Sequence, residues 1–85
     1  MEIPVKTDGK VRYTVPQIIT EQKDVTLYFR VGSVYKNVRV QVSAGDKVIL
    51  TKKRPKVAPG EMESVTIQAE ALEDVKELLV SLEVV

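Results

Sequence analysis

The chain has 85 residues, no cysteine, no histidine and a formal net charge of +1. That length allows one domain. The missing residue types exclude disulfides, the common zinc, haem and iron–sulfur ligand sets, and Ser–His–Asp or Cys–His catalysis. Hydrophobic residues make up 44% and charged residues 29%, which is globular composition and not disorder. A charge so near zero argues against a dedicated nucleic-acid or membrane-surface protein. No apolar run approaches the roughly 20 residues that span a bilayer. Met1-Glu2-Ile3-Pro4 lacks the charged and apolar regions of a signal peptide. A cytoplasmic chain with no membrane partner is therefore expected.

In chain order, Glu2 to Lys10 reads as a linker or a short edge segment, with Asp8-Gly9 as a turn dipeptide. The expected division is residues 1–10 as that lead-in and 11–85 as a single domain. The polar stretch after Met1 and the apolar Val84-Val85 also read as cuts in a longer chain. A first strand runs from Val11 to Val15 and stops at Pro16. Ile18 and Ile19 could continue an edge strand past it.

The clearest strand is Val25 to Val31. Val25, Leu27, Phe29 and Val31 share one face; Thr26, Tyr28 and Arg30 share the other. Gly32-Ser33 breaks it, and Val34-Tyr35-Lys36-Asn37 reads first as a hairpin connection in which Asn37 suits a positive φ, and otherwise as a polar and aromatic tip for a docking contact. Val38 to Ser43 is a second strand, with three valines inward and Arg39, Gln41 and Ser43 outward. One buried face and one wet face is the antiparallel habit. Ala44-Gly45-Asp46-Lys47 is the turn of a hairpin.

The next strand, Val48 to Lys53, ends before Pro55. Pro59-Gly60 is a candidate type II turn. A strand from Glu61 to Ala69 follows, with Val65, Ile67 and Ala69 inward. Leu72, Val75, Leu79 and Leu82 fit a helical spacing, but Leu78, Val80, Leu82 and Val84 alternate at period two. The combined pattern predicts a helical turn near Glu70–Asp74 and a final strand from Glu77 to Val85. About seven short strands separated by turn signals predict an all-β, antiparallel, immunoglobulin-like β-sandwich. A small closed barrel is the structural alternative.

Few side chains offer chemistry. Glu61 with Glu63 and Glu73 with Asp74 are paired carboxylates, but a glycosidase needs its pair held in one concave site. A solvated strand face and a solvated turn are the first expectation. Lys52-Lys53-Arg54-Pro55-Lys56 is a basic run. It reads first as an edge strand guarded by lysines and a proline, and otherwise as a phosphate-binding patch. Tyr13, Tyr28 and Tyr35 could add stacking platforms beside it. The four glycines lie singly at turns and form no phosphate-cradling fingerprint. No catalytic, cofactor-binding or metal-ligating residue is assigned.

Val11-Arg12-Tyr13-Thr14-Val15-Pro16-Gln17, Val25-Thr26-Leu27-Tyr28-Phe29-Arg30-Val31, Val34-Tyr35-Lys36-Asn37 and Ala58-Pro59-Gly60-Glu61-Met62-Glu63 occur in that order. Together the set resembles the C-terminal extension of bacterial FAD-dependent pyridine nucleotide-disulfide oxidoreductases, those described as NAD(FAD)-dependent dehydrogenases. The resemblance covers about Val11 to Ile67 and rests on turns and strand patterns. It implies that FAD and NAD(P) bind upstream domains of the parent enzyme and that this chain holds no cofactor itself. The implied role is a non-catalytic accessory domain contacting the rest of the parent polypeptide or another oxidoreductase subunit. Such a domain should leave apolar residues exposed on one face, with Leu79 and Val85 as candidates. A stand-alone immunoglobulin-like binding module is the first alternative. A small nucleic-acid-binding β domain using Lys52, Lys53, Arg54 and Lys56 is the second.

Overall fold

The computed structural model describes residues Met1–Val85. The strands are β1 (Ile3–Thr7), β2 (Val11–Val15), β3 (Ile18–Ile19), β4 (Val25–Val31), β5 (Tyr35–Ala44), β6 (Lys47–Val57), β7 (Glu63–Ile67) and β8 (Leu78–Val84), with one 3-10 turn over Ala69–Leu72. They form a five-stranded sheet in the order β3-β1-β8-β5-β6 and a three-stranded sheet in the order β2-β4-β7. The two sheets enclose one apolar core, so the expected all-β sandwich is what the chain forms. Every strand pair is antiparallel except β1 with β8, which is parallel.

The core is aliphatic, as sparse aromatics require. Leu27, Phe29 and Val31 of β4 face Val38, Val40 and Val42 of β5 and Leu78, Val80 and Leu82 of β8, all buried. Alternation along these strands follows from the pleat, which sends successive side chains to opposite sides. In β2 the alternation slips at a bulge between Val11 and Tyr13. The inward residue becomes Thr14, 1% exposed, whose hydroxyl donates to the Pro16 carbonyl at 3.1 Å.

Several expectations need correction. Of the two readings of residues 2–10 the linker fails and the short edge segment holds in part: Ile3–Thr7 is a strand next to β8, covered on its other side only by the two-residue β3, and Ile3 and Val5 belong to the core. Burial of these two side chains is the driving term, and Pro4 is accommodated opposite the two-residue β3. Strand β6 does not stop before Pro55 but runs through it to Val57. It lies at the sheet edge, where a missing N–H is tolerated. Gly60 has no positive φ, and the Glu61 N–H donates to the Ala58 carbonyl at 3.0 Å, so Ala58–Glu61 is not a type II turn.

Residues 34–37 are not a hairpin connection either. The chain crosses there from the three-stranded to the five-stranded sheet, and Tyr35–Asn37 already belongs to β5. Asn37 does have the positive φ, 54°, but inside the strand. The inward positions accordingly step from Tyr35 to Val38, three residues, before the regular alternation resumes.

Candidate docking faces

The outer face of the three-stranded sheet is built by register. Val15 stands opposite Tyr28, Tyr28 opposite Ser64, Tyr13 opposite Arg30, and Thr26 opposite Thr66. Tyr13, Val15 and Tyr28 are 41%, 53% and 47% exposed, so three large side chains share one open surface. Thr26 and Thr66 hydroxyls hydrogen-bond across the strands at 3.0 Å. Arg30 donates from Nη1 to the Pro59 carbonyl at 3.3 Å, which holds the guanidinium against the β4 end of the face. Arg12, exposed beside Tyr13 at the bulge, is a second cationic side chain here. Exposed tyrosine and arginine with few charges is the composition that marks the centre of a protein interface.

The outer face of the larger sheet is different. Glu83, Arg39 and Lys53 form one row across β8, β5 and β6, and Lys36 and Lys56 form another. Arg39 Nη2 meets Glu83 Oε1 at 3.6 Å. The expected edge role of the basic run holds, since β6 ends the sheet. Its members separate, however. Arg54 points between the sheets and pairs through Nε with Glu63 Oε1 at 3.0 Å, with only 12% of the Glu63 side chain exposed. That contact ties β6 to β7 across the open side of the sandwich.

The sequence candidates do not converge. Tyr13 and Tyr28 lie on the outer face of one sheet and Lys53 on that of the other, so no stacking platform stands beside the basic run. Tyr35 packs against the core. Glu61 and Glu63 part, because Glu63 is the partner of Arg54. Glu73 and Asp74 line an open groove of about 740 Å³ together with Glu70, Glu77, Lys47 and Lys76. No three acidic side chains come close enough together to hold a metal ion. Leu79 and Val85, the expected exposed apolar residues, are 38% and 69% exposed. The larger apolar group at Tyr13, Val15 and Tyr28 was not foreseen; the outward parity of Tyr28 in its strand was the available signal.

No helix is long and apolar enough to cross a membrane. Comparison with protein-family models, with curated proteins and with solved structures finds no match.

Proposed function

We propose that this chain is a non-catalytic accessory domain of a flavin- and nicotinamide-dependent oxidoreductase, acting by contact with the rest of that polypeptide. The observation that carries the contact role is the outer face of the three-stranded sheet, where Tyr13, Val15 and Tyr28 are exposed together beside Arg12 and Arg30. Burial of such a face releases water from aromatic and aliphatic surface while the tyrosine hydroxyls retain hydrogen bonds. The parentage is supported by the resemblance of the four quoted segments. FAD and NAD(P) then belong to the upstream domains, and this chain contributes no ligand to them. A cytoplasmic setting accords with a domain that uses no disulfide.

The test begins with the coding sequence upstream of the Met1 codon. An in-frame extension encoding strand–Gly-x-Gly-x-x-Gly–helix units is expected; its absence overturns the parentage. In the full-length protein, Val15→Asp with Tyr28→Asp should leave the sandwich folded and weaken its attachment. Amide exchange in β2 and β4 should then rise to the level of the isolated domain. Unchanged protection would overturn the assigned face.

A further inference from the structure

We propose that the outer face of β5 and β6, at the Lys36–Lys56 end, docks an acidic stretch of a partner protein. Two like-charged cross-strand pairs make this surface: Lys36 stands opposite Lys56, and Arg39 opposite Lys53. Directly opposed side chains sit about 5 Å apart, and like charges there repel. The fold shows the favourable arrangement one strand over, where Arg39 meets Glu83. No acidic side chain forms a salt bridge with Lys36, Lys53 or Lys56. Arg39 Nε is shielded from solvent with no hydrogen-bond partner. Repulsion retained at adjacent positions is a cost to folding that a bound anion removes.

The occupant follows from the surroundings. Lys53 and Lys56 are three residues apart, roughly 10 Å along the strand, so the cationic surface is short. Exposed Val85 and Pro55 border it in a shallow groove with Asn37 and Lys53, which suits a segment mixing carboxylates with apolar side chains. A long polyanion is disfavoured. The far end of the same sheet, roughly 25 Å along β5, opens on a groove where Glu70, Glu73, Asp74 and Glu77 outnumber Lys47 and Lys76. The exposed tyrosines that would stack on bases are on the opposite side of the sandwich.

The experiment is fluorescence anisotropy of the whole chain with a labelled octaglutamate peptide. Labelled octathymidylate and vesicles of mixed neutral and anionic lipid are the comparison probes. Octaglutamate should bind most tightly, and its Kd should rise on the order of tenfold from low to physiological salt. Lys36→Gln with Lys56→Gln should weaken it about tenfold, whereas Lys6→Gln with Lys10→Gln, the same charge change elsewhere, should leave it within about twofold. Circular dichroism confirms that each variant is folded. Absence of salt-sensitive octaglutamate binding, equal loss in both variant pairs, or tighter binding of octathymidylate or vesicles would each overturn the proposal.

Discussion

The carboxylate of Asp8 accepts the backbone N–H of Leu82 at 3.0 Å. Its other oxygen accepts from the N–H groups of Lys10 and Val11 at 2.9 and 3.0 Å. The Asp8 N–H in turn donates to the Val80 carbonyl at 3.2 Å. The parallel ladder between β1 and β8 ends at Thr7 and Val80, and the Asp8 side chain takes the next N–H where the strand has turned away. One residue thereby closes the β1–β2 corner and fastens it to the last strand.

Asp8→Ala leaves three N–H groups without that acceptor, two of them on the buried residues Val11 and Leu82. It should cost about 2–4 kcal/mol in urea unfolding. Asp8→Asn keeps one acceptor oxygen for the turn but turns an amide donor toward Leu82. It should cost less, about 1–2 kcal/mol. Equal stability of all three proteins would show that the corner holds without the carboxylate.

The Arg54–Glu63 contact couples the two sheets. Because Glu63 is mostly covered and Arg54 is partly exposed, the coupling in a double-mutant cycle with Arg54→Met and Glu63→Gln should be about 0.5–1.5 kcal/mol. Arg54→Met alone should cost more than the double substitution, since it strands a covered carboxylate. A coupling indistinguishable from zero would mean that β6 and β7 hold together by apolar packing alone.

Lys56→Glu converts the Lys36–Lys56 repulsion into attraction. It should add about 0.5–1 kcal/mol of stability, read as a Tm raised by a few degrees. The same change should weaken octaglutamate binding, which makes stability and binding move in opposite directions. An unchanged Tm would show that the two lysines diverge into solvent and do not oppose each other.

Asn37 holds φ at 54° within β5, a region that β-branched residues enter at a cost. Asn37→Val should lose about 1–3 kcal/mol, and Asn37→Gly should be close to neutral. Loss in the glycine variant equal to that in the valine variant would assign the cost to the side chain and not to the backbone.

The strands that could be read directly were those with one wet and one buried face. Val25–Val31 and Val38–Ser43 alternate without interruption, so period two was unambiguous. The opening strand was hidden because Pro4 interrupts Ile3 and Val5, and proline ordinarily argues against a strand. Only the completed sheet shows β1 lying beside β8. The tyrosine-bearing face was illegible for a different reason. Tyr28 showed its outward parity locally, but its neighbours Val15 and Tyr13 are set by long-range register and by the bulge after Val11. The separation of tyrosines from lysines is likewise a property of which sheet each strand joins. Local sequence carries no such information when strands of similar composition alternate between layers.

The parallel pairing of β1 with β8 also sets how the fold meets force. Val5, Lys6 and Thr7 run alongside Leu78, Leu79 and Val80 in the same direction. Tension applied between Met1 and Val85 pulls β1 toward its start and β8 toward its finish. The interstrand hydrogen bonds are then loaded in shear, all sharing the strain together, and do not peel apart in succession. A short parallel ladder thus opposes tension along the line joining Met1 and Val85 in shear.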